Sequence, residues 1–329
     1  MAVILVTGGA GYIGSHVCKA LADAGHEPIV FDNLSTGWRG AVQFGPFFEG
    51  DLLDREAISG VIRAHDPEAI VHLAALSEVG LSAREPGRYW ANNVTGSLNL
   101  ATEILAAGID KLVFTSTCAV YGALIGEAFA EDHPRNPINV YGQTKLAVEN
   151  MLAGFEAAHD LRTVTFRYFN AAGADEGAKI GEDHRPESHL IPLVLDAADG
   201  KRDAITVFGS DYPTPDGTCI RDYIHVTDLA DAHVRGVDWL LDCGASLRLN
   251  LGSQSGHSVK AVIDTAARVT GREIPVVQGA RREGDPPRLV SGSDLAGQTL
   301  GWTPQHSALE TMIADAWRWH LTGKYPEGR

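Results

Sequence analysis

The amino-acid sequence predicts an α/β fold: a doubly wound parallel sheet with a smaller, interleaved α+β unit. Apolar runs rich in β-branched residues alternate with Ala/Leu/Glu-rich segments through the first half, as strand and helix do in such a sheet. The first apolar run leads into glycines at three-residue spacing, Gly8, Gly11 and Gly14. After about residue 171 the periodicity weakens and the sequence becomes rich in Gly, Asp and Glu, which indicates the second unit.

The first strand, first helix and second strand are predicted to form a dinucleotide-binding turn. Residues 2–7 are typical of a buried parallel strand, and residues 15–24 have helical composition. The glycines between them permit a tight bend and let the backbone approach a pyrophosphate at the helix N-terminus. The next apolar run ends in Asp32, eighteen positions after Gly14, where a carboxylate can bind a ribose 2′-hydroxyl. Because this carboxylate would repel a 2′-phosphate, the sequence predicts NAD and not NADP.

Further strands are predicted at residues 69–74, 111–116 and 162–167, with helices at 92–107 and 141–158. Ligands of such folds bind beyond the carboxyl ends of the parallel strands. Three segments follow strand ends of this kind, namely Ala74-Ala75, Thr115-Ser116-Thr117 and Tyr168-Phe169-Asn170. We expect these segments to line one crevice.

The second half of the chain is predicted to alternate between the two units. Short strands (205–208, 274–277) and helices (189–199, 258–270, 308–321) follow a loop at 171–188, whereas 226–241 and 248–252 resemble another helix and strand of the large sheet. We therefore expect residues 1–170 plus about 218–253 to form a Rossmann-type NAD-binding domain. Residues from about 171–217 and 254–329 would form the substrate domain.

Composition and charge exclude several classes of partner. The chain has 329 residues, 44% of them hydrophobic, and a formal net charge of −15, which disfavours nucleic acid and anionic membranes. No apolar run approaches the roughly 18 residues that span a bilayer. Because the first strand begins at residue 2 without a leader, we expect a cytoplasmic protein. Four scattered cysteines (Cys18, Cys118, Cys219, Cys243) disfavour a disulfide framework or a zinc ribbon.

The segment Tyr141-Gly-Gln-Thr-Lys145 indicates acid–base chemistry. A phenol has a pKa of about 10 and is a poor base at neutral pH. Four residues apart on a helix, Tyr141 and Lys145 project from one face, so the ammonium can favour the phenolate. An oxidised nicotinamide ring nearby would add a second positive charge. We therefore expect Tyr141 to have a lowered pKa and to serve as the catalytic acid and base.

Together these residues resemble the extended short-chain dehydrogenase/reductase superfamily, and within it the UDP-glucose 4-epimerase (UDP-galactose 4-epimerase) family. The resemblance runs nearly from end to end of the chain. Besides the glycine turn and the Tyr/Lys pair, the motifs that carry it are Asp32-Asn33-Leu34-Ser35, Gly50-Asp51-Leu52, His72-Leu73-Ala74-Ala75, Asn92-Asn93-Val94, the run from Phe114 to Gly122, Arg167-Tyr168-Phe169-Asn170 and the run from Asp216 to Val226.

The resemblance implies a role for each matching residue. NAD would be bound by Gly8, Gly11, Tyr12, Ile13, Gly14, Asp32, Asn33, Ser35, Asp51, Leu52, Leu73, Ala74, Ala75, Asn93, Thr115, Tyr141, Lys145 and Tyr168. A UDP-sugar would contact Thr117, Tyr141, Asn170, His189, Leu190, Val207, Phe208, Arg221, Arg282, Asp285 and Leu289, with both arginines on the diphosphate–uridine side. Tyr141, Lys145 and Thr117 would be catalytic.

The reaction implied by the resemblance is reversible C4 epimerisation of UDP-glucose and UDP-galactose through a transient 4-keto sugar and NADH, with NAD tightly bound and regenerated in each turnover. A related 4-epimerase of UDP-N-acetylhexosamines or UDP-pentoses is the alternative, since Leu289 stands at a gate position that is tyrosine in strict enzymes and small in permissive ones. A 4,6-dehydratase would need an acid pair after Thr117, where Cys118 and Ala119 stand. A non-catalytic NAD- or nucleotide-sensing protein would typically lack the Tyr/Lys pair.

Two positions depart from the family pattern. Ser77 stands where well-known members have a lysine near the cofactor, and His189 stands where an asparagine commonly faces the substrate. We expect no metal site, because His184 and His189 lie in a predicted loop without a supporting carboxylate geometry. In relatives the helices at 92–107 and 141–158 form a dimer seam, so we expect a homodimer. Apolar residues compatible with that seam are Leu98, Ile104, Leu105, Leu146, Met151 and Leu152.

Overall fold

The computed structural model describes residues 1–122, 128–242, 244–282, 285–292, 294–322 and 325, so Cys243 lies outside the described residues. The strands are β1 (Val3–Thr7), β2 (Glu27–Asp32), β3 (Phe47–Glu49), β4 (Ala69–His72), β5 (Lys111–Thr117), β6 (Arg162–Tyr168), β7 (Asn170–Ala172), β8 (Ile205–Phe208), β9 (Ile220–His225), β10 (Leu247–Leu251), β11 (Gly256–Ser258), β12 (Val276–Gly279) and β13 (Arg288–Leu289). The helices are α1 (Tyr12–Asp23), α2 (Arg55–His65), α3 (Val79–Arg84), α4 (Pro86–Tyr89), α5 (Gly96–Ala106), α6 (Val140–His159), α7 (Leu190–Ala198), α8 (Val226–Asp242), α9 (Val259–Thr270), α10 (Leu295–Leu300) and α11 (Leu309–Leu321).

The larger sheet has seven parallel strands in the order β10-β6-β5-β4-β1-β2-β3. One face packs against α1 and α8, and the other against α2, α5 and α6. Both faces are therefore covered, which explains why the strands are continuous apolar runs and not alternating ones. This arrangement confirms the predicted doubly wound α/β class. The chain winds outward on one side through β2 and β3 and on the other through β4, so the strand order reverses between β1 and β4.

The second half of the chain builds smaller sheets. Strand β9 pairs with β7, β11 and β13, and β8 pairs with β12. A separate apolar cluster joins α7, α9 and α11 beneath them. Because β9 belongs to this smaller sheet, the expected return to the large sheet at about residue 218 moves to Val226, where α8 begins.

The predicted helix at 92–107 is not a regular α-helix throughout. It opens with a six-residue π-helical segment, Trp90–Thr95, before α5 begins at Gly96. Two 3-10 turns lie at Arg39–Ala41 and Cys118–Val120. Within the described residues, no helix combines the length and hydropathy that crossing a bilayer requires. The three cysteines of the described chain, Cys18, Cys118 and Cys219, are free thiols.

Candidate active site

A cavity of about 1080 Å³ opens beyond the carboxyl ends of the parallel strands. Ligands bind at the point where the strand order of such a sheet reverses. Predicted cofactor residues that line the cavity are Gly8, Gly11, Tyr12, Ile13, Gly14, Asp32, Asn33, Ser35, Asp51, Leu52, Leu73, Ala74, Ala75, Thr115, Tyr141, Lys145 and Tyr168. Predicted substrate residues that line it are Thr117, Asn170, His189, Leu190, Arg221, Arg282, Asp285 and Leu289.

The glycine turn needs its glycines for backbone reasons. Gly8 has a φ of +78°, a left-handed conformation that side chains rarely adopt. A Cβ on Gly14 would lie 2.0 Å from the carbonyl oxygen of Gly8. Gly11 caps α1 without a side-chain hydrogen bond, and the first turn of the helix holds no acidic residue. The positive end of the α1 dipole is thus open to an anion in the cavity.

Asp32 ends β2 as a buried carboxylate at the opposite edge of this turn. Its Oδ2 accepts a hydrogen bond of 3.0 Å from the backbone of Ala10, and its Oδ1 accepts one of 2.8 Å from the backbone of Leu34. Burial nevertheless raises the pKa of Asp32 above its usual value. Asn33 donates to Asp51 at 2.9 Å, which joins the ends of two neighbouring loops. The carboxylate of Asp32 keeps acceptor capacity toward the cavity, as a ribose-binding acid requires.

Tyr141 and Lys145 lie in the first turns of α6, whose N-terminus is capped by Asn139 through a 2.8 Å bond from Gly142 N. The Lys145 Nζ donates to the carbonyl of Thr115 at 2.8 Å and lies 4.9 Å from the centre of the Phe114 ring. The side chain of Lys145 is buried, and burial lowers its pKa to about 7. Burial therefore disfavours the charged form of this lysine.

The pKa of Tyr141 does not follow the sequence expectation. Burial raises the pKa of its phenol above the usual value, and the hydrogen bond with Thr117 opposes this shift. Thr117 is itself oriented at the end of β5, where its Oγ1 accepts a 3.1 Å bond from Ala119 N. The sequence expectation included the charge of an oxidised nicotinamide; among the protein's own groups, desolvation of the phenolate has the largest effect on this pKa.

A buried ion pair lies beneath this helix. Glu149, two turns after Tyr141, accepts bonds of 2.9 and 2.7 Å from the Arg167 guanidinium of β6. It also accepts a 2.5 Å bond from Ser116 of β5 and a 3.1 Å bond from Arg135. Although burial opposes it, these donors hold the pKa of Glu149 below its usual value. The network ties the helix that carries Tyr141 to the two strands that carry Thr117 and Tyr168.

The far end of the cavity holds the arginines. Arg221 of β9 forms an ion pair with Asp285, and Arg282 lies 4.1 Å above the centre of the Phe208 ring. Leu289 of β13 pairs in register with Arg221. Asn170 donates to the carbonyl of Asp222 at 2.8 Å, which links β7 to β9. Guanidinium forks suit phosphate oxygens, so this end favours a diphosphate.

Three predicted site residues do not line the cavity. Val207 is buried in the apolar cluster of α7, α9 and α11. Phe208 is not part of the cavity lining, but its ring packs against Arg282, which is. Asn93 is buried, and its amide bonds the backbone of Leu76 at 2.9 and 3.0 Å, so it holds the loop after β4 instead of facing a ligand.

Sequence reasoning missed several polar residues of the cavity wall, among them Glu78, Arg84, Asn139, Glu182, His184 and Tyr223. Ser77 lines the wall without the charge of a lysine, but Arg84 of α3 restores a cation to the same wall. Their place in the chain was the signal that could have identified these residues, since Glu78 and Arg84 follow β4 and Asn139 precedes Tyr141.

Comparison with known proteins defines the family. The model of the NAD dependent epimerase/dehydratase family matches residues 4–252. The chain belongs to this family. A relative from Rhizobium leguminosarum bv. trifolii named UDP-glucose 4-epimerase is 52% identical over 317 residues, covering 96% of this chain and 97% of the relative. The crystal structure of UDP-glucose 4-epimerase from Brucella ovis in complex with NAD is 46% identical, with a TM-score of 0.95 and coverage of 97% and 98%.

A second solved structure of the family carries a sugar nucleotide. It is the UDP-glucose-4-epimerase from Stenotrophomonas maltophila with bound NAD and formylated UDP-arabinopyranose. It is 39% identical to this chain, with a TM-score of 0.95 and coverage of 98% of this chain and 99% of the other. The family membership and the cavity together describe an enzyme that acts on a sugar nucleotide with the help of NAD.

Proposed function

We propose that this protein catalyses the reversible C4 epimerisation of UDP-glucose and UDP-galactose. One observation carries the proposal: Thr117, Tyr141 and Lys145 line the same cavity as the glycine turn and the arginine pair. An acid–base group therefore has access to one ligand held by a dinucleotide turn and to another held by guanidinium groups. The UDP-glucose 4-epimerases that this chain resembles support the assignment.

The cavity residues fit NAD. The uncapped N-terminus of α1 would bind the pyrophosphate, and Asp32 and Asn33 would bind the adenosine ribose. Asp51 and Leu52 would flank adenine, while Lys145 and Tyr168 would hold the nicotinamide side. When bound, NAD supplies reversible hydride chemistry at C4 of the sugar. The buried carboxylate of Asp32 accounts for the choice of NAD over NADP.

Tyr141 moves the proton in this proposal. Its phenolate oxygen takes the proton of the sugar 4-hydroxyl and later returns it to the same oxygen, after the 4-keto sugar has turned to present its other face. Thr117 would bond the same sugar oxygen and orient it toward the phenol. Arg221 and Arg282 would hold the diphosphate, so that the sugar can turn about its link to the phosphate while both groups stay bound.

The thiol after Thr117 argues against a 4,6-dehydratase, the other class that the family name allows. Such an enzyme needs an acid and a base near C5 and C6. Burial raises the pKa of Cys118 to about 12, so this residue stays a neutral thiol at physiological pH. Ala119 has no proton to give.

We also propose that residues 1–170 with 226–253 act as the cofactor unit and the remainder as the sugar-nucleotide unit, within a cytoplasmic homodimer. Exposed apolar side chains on Trp90 and Leu98 support a dimer seam on the helical face. Ile104 and Leu152, two of the residues expected there, are instead buried in the chain's own core. The seam would therefore use Leu98 and its exposed neighbours.

Incubating the protein with UDP-galactose and following UDP-glucose tests the proposal. We expect the equilibrium mixture from either direction without added reductant. A deoxy-keto product would identify a dehydratase, and tight NAD and UDP binding without product would identify a sensor. Parallel reactions with UDP-arabinose and UDP-N-acetylgalactosamine test whether the cavity around Leu289 accepts the alternative sugars.

A further inference from the structure

Four side chains of metal-ligand type converge on the segment that leads from β7 to α7. Glu182, His184, Glu187 and His189 each offer one ligand atom, and these atoms all lie within 4.8 Å of one another. Glu182 and the two histidines also line the edge of the large cavity. The expectation of no metal rested on the lack of a supporting carboxylate, and here two carboxylates stand beside the histidines.

The distances between these ligand atoms suit an ion with tetrahedral coordination. Glu182 Oε1 lies 3.0 Å from His184 Nδ1 and 2.8 Å from His189 Nδ1. Glu187 Oε1 lies 3.1 Å from His189 Nδ1, and Glu187 Oε2 lies 3.8 Å from His184 Nδ1. Bonds of about 2.0 Å to zinc in a tetrahedron place neighbouring ligand atoms about 3.3 Å apart. The separations of 2.8–3.8 Å given above bracket this spacing.

Glu187 provides a second, independent observation. Its Oε1 accepts bonds of 2.8 and 2.9 Å from the backbone N–H groups of Ser188 and His189, which fixes the plane of the carboxylate. Its Oε2 has no hydrogen-bond partner, although the side chain is only 7% exposed. A buried carboxylate oxygen without a donor is costly unless something positive binds it.

We propose that Glu182, His184, Glu187 and His189 bind one divalent transition-metal ion, with zinc preferred. Two imidazole nitrogens and two carboxylates match zinc, whereas magnesium and calcium prefer oxygen alone. Four protein ligands leave no open position, which is typical of a structural site. All four ligands lie within residues 182–189, so the ion would cross-link this segment internally at the edge of the cavity. His184 and His189 are partly exposed, so an ion can enter from solvent.

Equilibrium dialysis of tag-free, NAD-containing protein against zinc, after treatment with a chelator, tests the proposal. We expect one zinc ion per chain by elemental analysis. Cobalt in place of zinc should give the visible spectrum of tetrahedral nitrogen and oxygen coordination, without a thiolate charge-transfer band. Absence of a stoichiometric ion would overturn the proposal, because the cluster would then be an ion-pair network. A thiolate band would overturn it as well, because the ion would then lie at a cysteine.

Two variants and a matched control locate the ion. Loss of an outer-shell partner lowers metal affinity by roughly 10–100-fold. Glu187→Gln and His184→Ala each change a direct ligand, so each should weaken zinc binding by at least that factor. His159→Ala removes an exposed histidine at the end of α6 and should bind zinc as the wild type does. Equal binding by all three variants would place the ion elsewhere and refute the assignment. If a variant does not fold, the stoichiometry and cobalt spectrum of the wild type still decide.

Discussion

Tyr141 is a phenol in a site that disfavours its anion. Burial raises the pKa of Tyr141, and burial also lowers the pKa of Lys145 to about 7. Burial therefore disfavours the charged form of both groups. A cationic nicotinamide beside them would favour the phenolate by electrostatic attraction. On this view acid–base competence depends on the bound cofactor as much as on the Tyr/Lys spacing.

Replacing Tyr141 by Phe should remove most of kcat while KM for UDP-galactose changes little. Positioned acid–base groups contribute about 10²–10⁴-fold, and the ring of the variant still fills its buried position. Steady-state kinetics of UDP-glucose formation measures both constants. Tyr212→Phe is the matched control, because the Tyr212 hydroxyl is buried without a hydrogen-bond partner and lies outside the proposed machinery. Near-normal kcat in Tyr141→Phe would remove Tyr141 from the mechanism.

Lys145→Met should stabilise the protein freed of NAD at neutral pH while abolishing activity. The pKa of Lys145 is about 7 in the fold and about 10.4 when unfolded. The folded state therefore carries a penalty that is full below pH 7, fades as the pH rises, and is absent above the unfolded pKa. Urea unfolding at pH 7 and pH 10 should show the variant more stable at pH 7, by on the order of 1–3 kcal/mol, with the gap closing at pH 10.

The exposed Lys260 supplies the control for this experiment. It forms a surface pair with Asp264 at 2.7 Å, so Lys260→Met should leave stability nearly unchanged at both pH values. A gap between wild type and Lys145→Met that does not change with pH would show that Lys145 is fully charged in the fold.

At the scale of secondary-structure elements, α6 positions the acid–base residues because it carries functional side chains at four-residue intervals. Tyr141, Lys145 and Glu149 lie on one face of this helix, and Glu149 bonds the Arg167 guanidinium of β6 through both oxygens. The buried pair fixes the rotation of the helix against the sheet. The distance between the phenol and the strand ends therefore depends on an interaction two turns away.

Glu149→Gln should lower the free energy of unfolding by about 3–5 kcal/mol, because it leaves the buried Arg167 without a counter-charge. The wild-type contribution is present above the unfolded pKa of Glu, about 4.3, and is lost as the pH falls through the lower folded pKa. Urea denaturation at neutral pH measures the loss. Glu310→Gln breaks an exposed pair with Arg268 and should cost less than about 1 kcal/mol. Similar losses of unfolding free energy in both variants would mean that the buried pair stabilises the fold no more than the exposed pair does.

The elements that sequence predicted well are those with long periodic patterns, such as α6 and the unit from β1 to β2. Strands β7, β11 and β13 have two or three residues, too few for any period to be visible. Within β8, Val207 is 4% exposed and Phe208 is 37% exposed, since neighbours in a strand face opposite sides. Their residue types alone did not reveal which one faced inward. The glutamate–histidine cluster was equally hidden, because the path of a loop decides which side chains meet.

At the scale of the whole molecule, the net charge of −15 opposes the binding of an anionic UDP-sugar. Attraction must therefore be local, and the arginines at the far end of the cavity supply it. The same negative charge would keep copies of the chain apart unless apolar surface brings them together. Trp90 and Leu98, on the helical segments beside α6, are 40% and 41% exposed and so offer apolar surface to a second copy.

Leu98→Glu should convert the proposed homodimer to monomers. Sedimentation velocity of the wild type should give about 70 kDa, twice the 35.1 kDa of one chain. A charge placed in an apolar seam must be desolvated, so the variant should dissociate at concentrations where the wild type does not. Leu321→Glu changes an exposed leucine on α11 and should remain dimeric. A wild type that sediments as a single chain refutes the dimer. Dimers of both variants would place the seam away from Leu98, and the helical face would then need another explanation for its exposed apolar surface.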